Sequence, residues 1–342
     1  MMALRYGAPT TEKRKAPRCF RGKADRNSMT TDMTTAKKAV SKKARFVKQM
    51  KQDTPLYIMA LPAILAIFVF SYLPMYGVLM AFENYVPARG IFGSQWVGLK
   101  HFISFFRDPF CGRIVRNTIL LGVYSLVFSF PAPIIFALLL NELREGKFKR
   151  VVQTISYMPY FISTVIIVGL MMELFSLSGI VNKFVVALGG TAVSFMERPE
   201  WFRTLYIGSG IWQGVGYSSI LYLAAISGVN PELYESAILD GASRWKQIIH
   251  ITLPCIMPTV SIMFIMAVGG ILSNDLQKIL LMYTSLTYET ADTISTYVYR
   301  KGLLGGQYSY SAAVGLFMSA ISFVMLWVTN QISRKMGAES LM

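Results

Sequence analysis

The chain has 342 residues, of which 54% are hydrophobic and only 15% are charged. Because a soluble domain carries about 25% charged residues, this composition excludes one water-soluble globular core and indicates a membrane protein with several spans. Lys and Arg number 34 against 18 Asp and Glu, a net charge of +16. Such an excess is typical of nucleic-acid-binding proteins or of the cytoplasmic segments of membrane proteins, and its placement along the chain favours the second.

The first segment, residues 1–52, holds fifteen of the 34 cations. It is rich in Lys, Arg, Thr, Ser and Ala and has few large apolar residues, so it is too polar to pack a core. We therefore predict a basic, disordered, cytoplasmic N-terminal tail over 1–52 and a transmembrane domain over 53–342, with no nucleic-acid partner.

Six apolar stretches follow the tail, and each approaches the roughly 20 residues that a helix needs to cross a bilayer. They predict an all-α, polytopic membrane protein with six transmembrane helices. Several stretches contain Pro or Gly, which a helix bundle tolerates because neighbouring groups satisfy the freed backbone. The predicted spans are Leu56–Phe82, Thr118–Leu140, Ile155–Phe175, Leu205–Gly228, Cys255–Ser273 and Tyr308–Ile332.

The distribution of cations predicts the orientation of these spans. If the basic tail is in the cytoplasm, the cytoplasmic segments carry most of the Lys and Arg residues. The tail itself accounts for this excess of cations. Six spans then place both termini in the cytoplasm. We predict a multi-pass protein of the cell membrane with lipid around its spans. The stretch Gly179–Leu188 predicts a short helix at the outer surface.

A polar island over 229–254, reading VNPELYESAILDGASRWKQIIHITLP, lies between the fourth and fifth predicted spans. Asn230 and Pro231 are suited to a helix start, and Gly241 to a left-handed turn or a close backbone approach. The pattern predicts helix, bend and helix on the cytoplasmic side. From the pattern alone, an amphipathic helix resting on the membrane explains the island as well as a docking element does.

Motifs for catalysis and nucleotide binding are absent from the sequence. There is no GxxxxGK[ST], GxSxG, HExxH or CxxC, and no paired carboxylates indicate acid–base chemistry. We predict no enzyme activity in this chain, no catalytic residues, no metal site and no cofactor. Energy for uphill transport then comes from an ion gradient or from another subunit, and Glu173 is the one ionisable residue clearly inside a span, which is thin evidence for ion coupling.

The spacing within the island is more specific than its amphipathicity. The spacing begins with Glu235, Ser236 and Ala237. Gly241 comes after three further residues, and Ile251-Thr252-Leu253-Pro254 comes after nine more. This spacing resembles the EAA loop of binding-protein-dependent ABC importer permeases, with serine in place of the middle alanine. Other strings resemble the branch of that family that imports polysaccharide fragments, namely YLPMYGVLMAF (72–82), WVGLKHF (96–102), FPAPIIFALLLNELR (130–144), GIWQGVGY (210–217) and LTYETADTISTYVYRKGLLGGQYSYSAAVGLF (286–317).

The resemblance implies a type I ABC importer permease fold and a role in moving an oligosaccharide across the cytoplasmic membrane. It implies three kinds of protein partner: a second, homologous permease, two ABC ATPase subunits and an extracellular solute-binding protein. The island is then the element that docks in a cleft of the ATPase. The residues implied in this coupling are Glu235, Ser236, Ala237, Asp240, Gly241, Arg244, Trp245, Leu253 and Pro254.

Residues of the solute pathway are harder to choose from sequence. Sugars need aromatic faces and polar side chains, which selects Trp212, Gln213, Tyr217 and Asn274 as pathway candidates. Helix packing is the alternative explanation for these residues, and the resemblance leaves room for a site mostly in the partner permease. Two other functions stay open at this point: a permease for a peptide or amino acid, and an ion-coupled carrier that acts without an ATPase.

Overall fold

The computed structural model describes residues 53–335, and the secondary structure over that range is almost entirely helical. The one sheet is a two-residue antiparallel pair, β1 (Glu83–Asn84) with β2 (Gln95–Trp96). The predicted all-α class is therefore confirmed. The predicted tail at 1–52 lies outside the described residues.

Fifteen α-helices follow one another along the described range. In chain order they are α1 (Thr54–Ile67), α2 (Lys100–Phe106), α3 (Cys111–Tyr124), α4 (Pro131–Glu142), α5 (Lys147–Tyr157), α6 (Thr164–Leu174), α7 (Ile180–Ala187), α8 (Pro199–Ser227), α9 (Pro231–Leu239), α10 (Arg244–Gln247), α11 (Leu253–Gly269), α12 (Leu276–Met282), α13 (Tyr288–Ala291), α14 (Ile294–Val298) and α15 (Tyr308–Lys335). Short π-helical and 3₁₀ turns join some of them into longer rods. The predicted helix near Gly179–Leu188 is confirmed as α7.

Four continuous rods in residues 53–335 are long and apolar enough to cross a bilayer: Thr54–Phe82, Cys111–Glu142, Arg244–Gly269 and Tyr308–Lys335. A fifth span is present if the bent pair Lys147–Phe161 and Thr164–Leu174 counts as one. Helix α8 is 29 residues long, but its Gly, Ser and Gln residues keep its hydropathy below that of the four rods. A count of six spans therefore stays a prediction.

The third predicted span is bent by 102° between Phe161 and Thr164. Pro159 has no N–H to continue the helix, and Ile162 takes an extended conformation after it. Ser163 then begins α6, because its hydroxyl accepts a hydrogen bond from the Ile166 N–H at 3.4 Å. The Gln213 side chain donates to the Ile162 carbonyl at 3.2 Å, which satisfies a group that the break sets free.

Helix α8 lies at the centre of the bundle and contacts α4, α5 and α11. Its inward face contributes Tyr222 and Ile226 to a buried cluster with Ile134 of α4 and Ile256 of α11. Gly216 is required here, because a Cβ at this position would lie 2.1 Å from the Ser156 carbonyl oxygen. This close approach fixes α5 against α8.

A polar network holds the connection between α12 and α15 against α3. The Asp292 side chain is fully buried and accepts hydrogen bonds from Thr296 at 2.7 Å and from Arg300 at 2.7 Å. Arg113 of α3 approaches the same carboxylate to 3.6 Å. Asn117 of α3 donates to the Asp292 carbonyl at 3.0 Å. The network therefore joins segments about 180 residues apart in sequence.

Candidate functional site

The polar island folds as the predicted helix, bend and helix. Its first helix, α9, begins at Pro231, where the proline occupies the first turn and lacks only an N–H that would have no helical partner. The Asn230 side chain accepts a hydrogen bond from the Glu232 N–H at 3.2 Å. This cap and the acidic Glu232 in the first turn both stabilise the helix start.

Gly241 makes the bend. Its φ is +72°, in the left-handed region that residues with a Cβ adopt at a cost. The Gly241 N–H donates to the Ile238 carbonyl at 3.0 Å and the Ala242 N–H donates to the Ala237 carbonyl at 2.8 Å, so both close the end of α9. A Cβ at Gly241 would meet no atom of this chain within 4 Å. Glycine is therefore favoured here by the backbone conformation and not by a lack of space.

The second half of the island continues directly into a membrane rod. Helix α10 begins after Ser243, passes through a π-helical turn at Ile248–Thr252 and becomes α11. Leu253 packs against the cluster around Ile256, and Pro254 lies in the first turn of α11. A displacement of the island is therefore carried straight into α11.

Two side-chain contacts brace the island internally, and one joins it to the bundle. The Tyr234 and Thr252 hydroxyls are 2.9 Å apart. Burial raises the pKa of Tyr234, so its phenol keeps the proton of this hydrogen bond near neutral pH. The Gln247 side chain donates to the Ala242 carbonyl at 2.9 Å, and Arg244 pairs with Glu142 at the end of α4 at 3.1 Å. The island is thus a braced element rather than a free loop.

A surface that we call the tip patch covers the outside of the bend. It consists of the exposed apolar side chains Ile238, Leu239, Trp245 and Ile249. Leu239 is 88% exposed and Trp245 is 69% exposed. Exposed apolar side chains on a polar segment are typical of a protein interface, and tryptophan is enriched at the centres of such interfaces.

Most of the coupling residues implied by the sequence surround this patch. Glu235 and Asp240 are exposed and have no ion pair within residues 53–335. Ser236 bonds back to the Glu232 carbonyl at 3.0 Å, and Ala237 is half-buried. Sequence reasoning missed Glu142 as an anchor, because 102 residues separate it from Arg244.

A cavity of about 350 Å³ with a mixed polar and apolar lining lies beside Asn274, between α3, α8 and α11. The Asn274 amide donates to the Thr118 carbonyl at 3.4 Å, which holds this side chain at the cavity wall. The cavity is further lined by hydroxyls and rings, including Ser125, Ser129, Ser273, Phe130 and Tyr206. These groups offer hydrogen bonds and apolar faces together, which is the combination that a sugar requires.

Tyr217 lies on a second cavity of about 780 Å³ that adjoins the first. Its ring stacks on Tyr160 with the centroids 3.9 Å apart and the planes at 5°. Both cavities are lined by Ser129, Phe130 and Ala267. We call this continuous lining the solute wall, after the role proposed for it below. It carries both Tyr217 and Asn274, and their part in a solute pathway stays a prediction.

The other two pathway candidates lie elsewhere. The Gln213 side chain bonds to the Ile162 carbonyl, so it supports the break before α6. Trp212 lines an apolar groove between α6 and α8 that shares no lining residue with the solute wall. Within residues 53–335, no three His, Cys, Asp or Glu side chains converge as a metal site requires.

The apolar rods indicate a protein that crosses a membrane. Residues 112–338 match the family model described as the binding-protein-dependent transport system inner membrane component. Because this match covers more than half of the chain, the chain belongs to that family. The family is one of transport permeases, not of enzymes.

Two relatives from Bacillus subtilis (strain 168) resemble nearly the whole chain. The polygalacturonan/rhamnogalacturonan transport system permease protein YteP is 42% identical over 301 residues, covering 88% of this chain and 94% of YteP. The protein LplB is 41% identical over 308 residues, covering 90% of this chain and 96% of LplB.

A solved structure has the same fold. It is the crystal structure of a bacterial alginate ABC transporter in complex with an alginate pentasaccharide-bound periplasmic protein, and one of its chains is 43% identical with a TM-score of 0.80. The match covers 87% of this chain and all of that one. The resemblance to an importer permease of the polysaccharide-fragment branch is confirmed.

Proposed function

We propose that this chain is a permease subunit of an ABC importer and moves an oligosaccharide into the cell. The observation that carries the proposal is the tip patch, an exposed apolar surface on a braced bend that continues into the membrane rod α11. The relatives support the solute class, since YteP is named as a polygalacturonan/rhamnogalacturonan transport permease and the solved structure is that of an alginate transporter.

The proposed coupling is mechanical. Leu239 and Trp245 enter a cleft of an ATPase subunit, while Glu235 and Asp240 pair with cations at its rim. When ATP closes the two ATPases, the islands of both permeases move as rigid bodies, and α11 carries that motion to the solute wall. Residues 229–254 and both termini are then cytoplasmic, and a solute-binding protein delivers the sugar at the opposite end of the bundle.

A second permease is part of the same proposal. Helix α1 has no buried residue, and large side chains such as Met59 and Phe70 are more than three-quarters exposed. A homologous permease and lipid together cover such surfaces in the assembly. The solute wall then faces the partner, so one sugar chain contacts both permeases.

The test is reconstitution of the four-part assembly in proteoliposomes with ATP inside and labelled oligosaccharide outside. We expect Leu239→Ser and Trp245→Ser to lose ATPase capture and uptake together, because each removes the apolar group that fills the cleft. Phe92→Ser and Leu188→Ser are matched controls, since both residues are equally exposed but lie in other connections. Equal uptake in all four variants contradicts the proposal, as does ATP-independent uptake driven by an ion gradient.

The aromatic pair on the solute wall gives a separate prediction. We expect Tyr217→Ala to lower the uptake rate roughly 5- to 100-fold, because an aromatic face against a sugar ring contributes about 1–3 kcal/mol by analogy with base stacking. Tyr217→Phe keeps the ring and is expected to retain most of the rate. ATPase capture stays unchanged in both variants, and an unaltered rate in Tyr217→Ala removes Tyr217 from the pathway.

A further inference from the structure

An apolar groove of about 520 Å³ runs between α6 and α8, on the side of α8 that carries Trp212. Its walls include Leu170 and Leu174 of α6 and Trp201, Leu205, Gly208 and Trp212 of α8. The hydroxyl of Ser209, one of the few polar groups there, already donates to the Leu205 carbonyl. The groove therefore offers almost nothing to a polar solute and favours a hydrocarbon.

The length of the groove matches one leaflet of a bilayer. Trp201 and Trp212 are eleven residues apart on α8, which at 1.5 Å per residue is roughly 16 Å. The hydrocarbon core of a bilayer is about 30 Å thick, so one leaflet contributes about half of that. An acyl chain that enters beside Trp201 therefore ends near Trp212.

The start of α8, next to Trp201 in sequence, carries groups that suit a lipid headgroup. Trp201 is an amphipathic ring of the kind that lies at the membrane–water boundary. Arg198 is exposed one turn before it and has no ion pair within residues 53–335, so it is available to a phosphate. Glu197 and Glu200 flank this arginine, and they favour a headgroup that also carries an ammonium.

We propose that this groove is a binding site for one phospholipid with a zwitterionic headgroup. One acyl chain lies between α6 and α8, the phosphate pairs with Arg198, and the ammonium faces Glu197 or Glu200. The lipid fills the space beside the break at 162–163, so it supports the bent third span where the chain's own side chains leave a gap.

The groove contains two of the five tryptophans of the chain, which gives a direct readout. The full chain is purified in mild detergent and titrated with phosphatidylethanolamine brominated on its acyl chains, since bromine quenches tryptophan at contact. We expect saturable quenching that unbrominated lipid reverses and that is lost in a Trp201→Phe/Trp212→Phe double variant. Trp327 of α15 is 52% exposed and lines none of the cavities described above, so it reports non-saturating contact with bulk lipid.

A matched pair of glycine variants tests where along α8 the lipid binds. Gly208 lines the groove, and a Cβ there meets no atom within 4 Å, so the side chain of Gly208→Leu can start into the groove. Gly214 lies on the same helix with the same free space, but outside the groove. We expect Gly208→Leu to lose the saturable quenching and Gly214→Leu to keep it. Leu170→Phe narrows the groove from α6 and is expected to weaken the quenching if Gly208→Leu does not fold.

Three results overturn the proposal. Equal quenching in both leucine variants means bulk lipid contact only. Saturable quenching of the isolated chain that disappears in the full transporter means that a helix of another subunit occupies the groove. The headgroup assignment is wrong if phosphatidylglycerol competes as well as phosphatidylethanolamine and Arg198→Gln leaves lipid binding unchanged.

Discussion

Replacing Gly241 with aspartate is expected to abolish ATP-driven uptake. The substitution places a Cβ in a backbone with φ of +72°, which aspartate, like asparagine, tolerates better than most residues, so strain is the smaller part of the effect. It also adds a charge beside Leu239 and Trp245, the apolar residues that we place in the ATPase cleft. Uptake and ATPase capture in proteoliposomes measure the effect.

Gly241→Asn is the matched control for this prediction. Asparagine has nearly the same shape as aspartate, tolerates the left-handed conformation better than most residues, and carries no charge. We expect it to retain part of the uptake, whereas Gly241→Val loses it through strain alone. Wild-type uptake and assembly in Gly241→Asp contradict the role that we give to the bend.

Asp292→Ala is expected to lower the free energy of unfolding by about 1–3 kcal/mol, because it leaves the buried Thr296 hydroxyl and the half-buried Arg300 without their acceptor. Burial lowers the pKa of Arg300 and is the largest single effect, but the interactions with Asp292 and Tyr283 together outweigh it and raise that pKa. One Arg300 nitrogen, Nη1, is already buried without a partner. Removing the carboxylate leaves the guanidinium with no anion in this network.

The apparent melting temperature of the purified chain measures this loss. Asp240→Ala is the control, because Asp240 is an exposed aspartate without an ion pair within residues 53–335, and we expect a change within about 0.5 kcal/mol. Equal melting temperatures for the two variants would show that the Asp292 network does not stabilise the fold.

The local shape of the island was predictable because its signals are local. Asn230, Pro231 and Gly241 each act on their own backbone and determine where α9 begins and ends. The EAA spacing adds a family resemblance that the comparisons confirm. The docking role of the island stays a prediction, because no ATPase subunit is present to contact it.

Other features depend on contacts between distant segments and were not predictable. Helix α8 is rich in Gly and Ser, so its pattern does not show which face carries the solute wall; Tyr217 lies on that wall and Trp212 lies in the apolar groove. The bond from Gln213 to Ile162 depends on a helix break that the sequence indicates only through Pro159. Two partners of Asp292, Arg113 and Asn117, come from α3, far along the chain.

Site-specific cross-linking tests the docking of the tip patch most directly. Single cysteines at positions 239 and 245, in a chain whose native cysteines are replaced, are treated with a short bifunctional reagent in the assembled transporter. We predict cross-links from both positions to the ATPase subunit, with a yield that changes when ATP closes the ATPases, and none from a cysteine at position 92. Cross-links only to lipid or to the partner permease, or an equal yield at position 92, would contradict the coupling role.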